Sequence, residues 1–395
     1  MSKIVDEIIE KIELPESAYE KASERYHSIG KWLGRNGSNL ARFDPHIGPQ
    51  GSFNVGTATR PPQSDDYDLD LYCLLESELS VDNVSQDQLK SMVGDELEAY
   101  LKANSVSEPL AEKRRCWRIE YADGVSFHID ILPGIPHASV RRDQILSLML
   151  EAGSIEKDLA ENLSDKTMAI TDTNDADYLE ISGAWPTSNP EGFAIWFRQQ
   201  MKRSSAYLSE RVVALNAASI DEIPVYRWKT PLQKAVQLLK RHRDVMFKTA
   251  PDSKPISIII TTLAAQAYGG ESDVSSALKN ILASMRGYIN EIKPLVPNPV
   301  NPSEDFADKW YDPGHSEHNL EENFKNWVRQ AALDVERILS AGHSSDVADL
   351  VSTAFEVKLK ARKVPAAPAI VTSRSPDRIS RDSASPWLSG LNEPI

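Results

Sequence analysis

Two aspartates separated by one apolar residue set the tightest constraint on this chain. In Tyr67-Asp68-Leu69-Asp70-Leu71-Tyr72 acidic and apolar residues alternate, and a strand turns successive side chains to opposite faces. Leu69 and Leu71 therefore enter a core, while Asp68 and Asp70 stand side by side on the other face. Neighbouring carboxylates repel, and one tends to take up a proton unless a cation lies between them. A hard divalent ion meets that need, and magnesium is usual where phosphates supply the remaining ligands.

A third carboxylate comes sixty residues later. Gly124-Val125-Ser126-Phe127-His128-Ile129-Asp130-Ile131-Leu132-Pro133 reads as another strand, with Asp130 on the same face as His128. Three acids on two adjacent strands can bind two metal ions, one activating an attacking hydroxyl and the other holding a triphosphate and its leaving group. Upstream, Gln50-Gly51-Ser52 and Gly56 suit a loop leading into a helix whose free amides receive a phosphate. Together these parts describe nucleotidyl transfer.

Gly51-Ser52, Asp68-Leu69-Asp70 and Asp130 resemble the signature of the DNA-polymerase-β-like nucleotidyltransferases, and Gln50 before Gly51 fits the bacterial relatives of cyclic GMP-AMP synthase and oligoadenylate synthase. The resemblance implies cyclic di- or trinucleotide synthesis from nucleoside triphosphates, ATP included, with two magnesium ions, in anti-phage signalling. It also implies a triphosphate contact for Lys240, within a helix starting at Thr230-Pro231, and for Ser257 at the head of the next helix.

Composition narrows the class. A chain of 395 residues, 41% of them hydrophobic, can bury a substantial core. Its 44 Lys and Arg against 58 Asp and Glu give a net charge of -14, which disfavours a broad nucleic-acid surface. Cys73 and Cys116 are too few for a disulfide framework or a cysteine-rich zinc site. No signal peptide is evident and no apolar run reaches the roughly 18 residues of a membrane span, so a soluble cytoplasmic protein is expected.

The spacing of Ala18, Ala22, Tyr26, Ile29 and Leu33 after Pro15 predicts a helix ending near Gly34, and the resemblance makes it a spine over residues 1–36. A nucleotidyltransferase core is expected over 37–185, with a helix whose stripe is Leu89, Met92, Val93, Leu97 and Leu101, and a hairpin turning at Ala122-Asp123-Gly124. A helical lobe is expected over 186–362. It includes a helix facing inward through Leu232, Ala235, Val236, Leu239 and Met246, and another over Val274 to Ile292. Residues 363–395 are rich in Pro and Ser and read as a disordered tail whose Trp387, Leu388 and Leu391 can dock on this protein or on a regulatory partner.

The fold expected is therefore a two-lobed α+β enzyme, with a mixed sheet in one lobe, an oligoadenylate-synthase-like helical lobe, and the active site between them. Asp68, Asp70 and Asp130 are its metal ligands and catalytic residues; Gln50, Gly51, Ser52, Lys240 and Ser257 hold the triphosphate. One rival is a template-independent polymerase of the poly(A) or tRNA-end type, which shares the acids but must grip a long RNA. The other is a non-catalytic interaction protein on the same fold, for which three mutually repelling acids have no use.

Overall fold

Alternation of apolar and polar residues in the central segments builds one mixed sheet. The computed structural model describes residues 2–61, 67–121, 127–153, 155–203, 220–221, 223, 228–340 and 345–359. The strands are β1 (Pro45–Gln50), β2 (Tyr67–Leu75), β3 (Ala111–Glu112), β4 (Trp117–Tyr121), β5 (Phe127–Pro136), β6 (Met168–Ile170) and β7 (Thr187–Ser188), and the sheet runs β1-β2-β5-β4-β3 with β6 on β5 and β7 on β6. The β2–β5 pair is parallel and the other pairings are antiparallel. Leu69, Leu71, Ile129 and Ile131 are fully buried, as the alternation requires. The hairpin expected between β4 and β5 is present; its turn lies outside the described residues.

The expected spine is two helices, α1 (Ser2–Ile12) and α2 (Glu16–Leu33). Pro15 lacks an amide hydrogen and biases Leu14 away from helical angles, so α1 stops and α2 restarts with Pro15 as its extended N-cap residue. The break sends the two helices to different cores. Ala18, Ala22, Tyr26, Ile29 and Leu33 of α2 join the sheet and α4 (Gln86–Ala103), which follows the single-turn α3 (Gly51–Asn54). Ile4, Val5, Ile8, Ile9 and Ile12 of α1 join a second, helical core.

That second core gathers α5 (Ser139–Ala152), α6 (Lys157–Asp165), α7 (Pro190–Met201), α8 (Pro231–Met246), α9 (Ser257–Ala267), α10 (Val274–Ser284), α11 (Leu320–Ser340) and α12 (Ser345–Phe355). The two cores interleave along the chain: α1, α5 and α6 precede residue 185 yet pack in the helical core. A short hairpin, β8 (Pro297–Asn298) with β9 (Asn301–Asp305), precedes α11. Two expectations need correction. Met246 is 41% exposed, because it ends α8 beyond the packed face, and the helix begun at Val274 ends at Ser284, after which a 3-10 turn leaves Ile292 80% exposed. The tail beyond residue 359 lies outside the described residues.

Candidate active site

Strand register assembles the site as a row across the sheet. Gln50 of β1 faces Asp70 of β2, Asp70 faces Asp130 of β5, and Asp130 faces Arg118 of β4. One step along, Asp68 faces His128, whose Nδ1 lies 3.6 Å from Asp68 Oδ1. Asp68 is exposed, whereas Asp70 is half-buried. Burial and the neighbouring charges of Asp130 and Asp68 raise the Asp70 carboxyl to about 7, with Lys240 and Arg118 opposing. A proton on Asp70 near neutral pH is the cost of holding like charges together without a cation.

Gly51 sits against this row. Its φ is +62°, and a Cβ there would lie 2.3 Å from Asp70 Oδ2, so both backbone sterics and close approach require glycine. Gly51→Ala is expected to destabilise the fold by about 1–3 kcal/mol and to depress nucleotide turnover more strongly than thermal stability. Parallel melting and rate measurements check this. The helix after Gly51 is a single turn, α3, so the cradle depends on side chains more than on a helix dipole.

Asp130 stands differently from the other two acids. Arg118 donates to it twice, Nε to Oδ1 at 2.6 Å and Nη2 to Oδ2 at 2.8 Å. Sequence reasoning missed Arg118, yet the signal was available. In a hairpin centred on Gly124, residues six before and six after face each other, and these are Arg118 and Asp130.

Above the row opens a cleft of about 1080 Å³, at the upper edge of the roughly 300–1,000 Å³ of small-ligand sites. Asp68, Asp70, His128, Gln50, Gly51 and Ser52 line its sheet side, and Lys240, Arg243, Lys248, Lys254 and Ser257 its helical side. Lys240 is buried, donates from Nζ to the Thr57 carbonyl at 3.1 Å, and has its pKa lowered to about 8 by burial and by Arg243. Ser257 opens α9, and its Oγ accepts from Arg243 Nη1 at 3.1 Å. The structure thus brings Gln50, Gly51, Ser52, Lys240 and Ser257 to one cleft with Asp68 and Asp70. It adds Arg243, Lys248 and Lys254.

The donor set fits a divalent ion in part. Asp68 and Asp70 offer hard oxygens at neighbouring positions, one driven to bind a proton for want of positive charge. Asp130 has both oxygens on Arg118, and among the described residues no three ligand-type side chains converge as a metal site.

Residues 45–133, which hold the whole row, match the family described as "Cyclic GMP-AMP synthase DncV-like, nucleotidyltransferase domain". A c-di-GMP synthase of Roseivirga ehrenbergii is 30% identical over 347 residues, covering 84% of this chain and 81% of the relative. The cyclic dinucleotide synthase CdnG of Bradyrhizobium diazoefficiens is 27% identical over 325 residues, covering 78% and 70%. The fold matches the structure of that Bradyrhizobium CdnG in complex with GTP at a TM-score of 0.61 and 22% identity, over 90% of this chain and 95% of that one. Among the described residues no helix is long and apolar enough to cross a membrane. With residues 45–133 matching that family and 30% identity to a cyclic dinucleotide synthase over most of both sequences, this chain belongs to the DncV-like nucleotidyltransferases.

Proposed function

We propose that the chain condenses ribonucleoside triphosphates, GTP among them, into a cyclic dinucleotide with release of pyrophosphate. The observation that carries this reading is the pairing of Asp68 and Asp70 at the wall of a cleft whose opposite wall is cationic, in a chain 30% identical to a c-di-GMP synthase. ATP is the other purine substrate proposed, cytoplasm the compartment that supplies both, and anti-phage signalling the purpose implied by the family.

In this reading Asp68 and Asp70 would hold two magnesium ions, which would neutralise the triphosphate and lower the pKa of the attacking hydroxyl. Gly51 and Ser52 seat the triphosphate, Gln50 orients the adjoining backbone, and Lys240 and Ser257 exchange their Thr57 and Arg243 partners for phosphate oxygens. Lys240 is buried with its pKa lowered to about 8, so it still carries most of its charge at neutral pH, and a polyphosphate oxygen in place of the Thr57 carbonyl gains a strong charge-assisted bond. Asp130 faces the acceptor and helps draw off the proton of its 2′- or 3′-hydroxyl, with Arg118 fixing the carboxylate plane. The pyrophosphate then leaves in line with attack, and a second round on the bound linear product closes the ring.

The test incubates the protein with all four ribonucleoside triphosphates and magnesium, followed by phosphatase treatment and mass analysis. A phosphatase-resistant cyclic product containing guanosine is expected. Linear, phosphatase-sensitive chains would support the RNA-end polymerase instead.

A further inference from the structure

The buried polar face of α8 grips a stretch of backbone next to the phosphate loop. Gln233 Nε2 donates to the Val55 carbonyl at 3.0 Å, Gln237 Nε2 to Ala58 at 2.7 Å, Lys240 Nζ to Thr57 at 3.1 Å, and Arg241 Nη2 to Arg60. Gln233 and Gln237 are fully buried, and Lys240 and Arg241 nearly so. Residues 233, 237 and 241 are about one helical turn apart, so successive rungs rise about 6 Å. Four side chains from one helix thus bind four carbonyls within one six-residue strap.

The strap is also the place where the chain changes cores. Phe53 packs in the sheet core and Val55 in the helical core. Between them Asn54 donates to the Pro49 carbonyl at 2.8 Å and accepts from Arg198 of α7 at 3.1 Å. On its other side the strap is pinned by the α1–α2 break, where the Arg60 amide donates to the Ile12 carbonyl at 2.8 Å and Thr59 bridges to Glu13. Gln233 has a second task, since its Oε1 accepts from the Thr230 amide at 2.8 Å and closes a capping box on α8, whereas among the described residues the buried Gln237 side chain is bonded through its amide group to the Ala58 carbonyl alone, a bond that is costly to lose.

We propose that Gln233, Gln237 and Arg241 are positioning residues, which through the Val55, Ala58 and Arg60 carbonyls fix the strap, and with it Gly51 and Ser52, to the helical lobe as the seat of a nucleoside triphosphate. The acids and Gly51 lie at the sheet, and the loop that continues from Gly51 is held by α8 over residues 55–60. How firmly the triphosphate is held beside the acids then depends on these rungs. This inference rests on the reading of the cleft given under Proposed function. Lys240 is the one rung shared between strap and substrate. The three others stand outside the lining of the cleft and act only through backbone.

The test compares the full chain with Gln237→Met, Arg241→Met and the Gln233→Met/Gln237→Met double variant. Four quantities are read: KM for GTP, kcat, the inhibition constant of inorganic tripolyphosphate, and hydrogen exchange of the amides over residues 55–60. Each lost rung is expected to raise both KM and the tripolyphosphate constant about 3- to 10-fold. Amide exchange over the strap should accelerate, with kcat within about threefold. Inhibition by guanosine, which has no phosphate, should stay unchanged, and Arg241→Lys, which keeps a donor of similar reach, should restore the tripolyphosphate constant. A lower melting temperature with unchanged KM and tripolyphosphate constant would mean that the rungs serve stability alone, and overturns the inference. If the unaltered chain neither turns over GTP nor binds tripolyphosphate, the reading of the cleft falls and the inference with it. Turnover by the unaltered chain with indifferent rung variants removes the inference only.

Discussion

Asp70→Asn is expected to lower the rate of nucleotide turnover by at least about 10³-fold, since a divalent ion at a transferring phosphoryl group is worth several kcal/mol. The same substitution should raise the thermal stability of the metal-free protein at pH 8. Both effects have one cause. Asp70 lies half-buried beside Asp68 and Asp130, and its carboxylate is tolerable only with a cation present. The neutral amide removes the repulsion and the ligand together. Melting curves in a chelator and initial rates in magnesium measure the two effects on the same preparations. An Asp70→Asn protein that is inactive and less stable at pH 8 would show that the carboxylate is not strained in the resting fold.

The pH dependence of metal-free stability should be of similar size. The Asp70 carboxyl titrates at about 7 in the fold against 3.8 ordinarily. Between those values the folded chain holds a proton that the unfolded chain has released. Stability contributed by this group is therefore undiminished below pH 3.8, falls as pH rises through the window, and is fully lost above about 7. The difference is at most roughly 4 kcal/mol. The contribution is isolated by subtracting the profile of Asp70→Asn from that of the unaltered chain, and a flat difference between pH 4 and 8 would refute it. The sign reverses for metal binding. A proton on Asp70 competes with magnesium, so below pH 7 the magnesium concentration giving half-maximal activity should rise about tenfold per unit.

Much of the row of acids could be read from the sequence, because a strand writes its faces into a two-residue period. Asp68 and Asp70 share one face of β2 by alternation, and the structure places Asp130 of β5 beside Asp70. β1 was harder to see. Pro45, Gly48 and Pro49 are poor strand residues, and they are tolerated because β1 lies at the sheet edge, where an absent amide hydrogen breaks no ladder. The period in Ile4, Ile8 and Ile12 announces α1, but no local signal says that Pro15 redirects the chain from one core to another. The cleft cations illustrate the same limit. Lys248, Lys254 and Arg243 fit a solvated helix end as well as a phosphate site, and only tertiary placement separates the two. The α8 rungs were legible as polar residues on an otherwise packed helix, whereas their partners are backbone carbonyls, which a sequence does not distinguish.

The position of α1 also bears on how the protein is made. Its apolar stripe is completed by α8 and α10, and α8 ends at Met246, more than 230 residues after Ile12. At about 5–20 residues per second of synthesis, the ribosome takes roughly ten to fifty seconds to supply those partners. Throughout that interval the nascent chain carries an amphipathic helix without those two partners to cover it. The strap pinned beside Glu13 cannot reach its final form until α8 has emerged, so this part of the fold is completed late in synthesis, after the helical core has closed on that first helix.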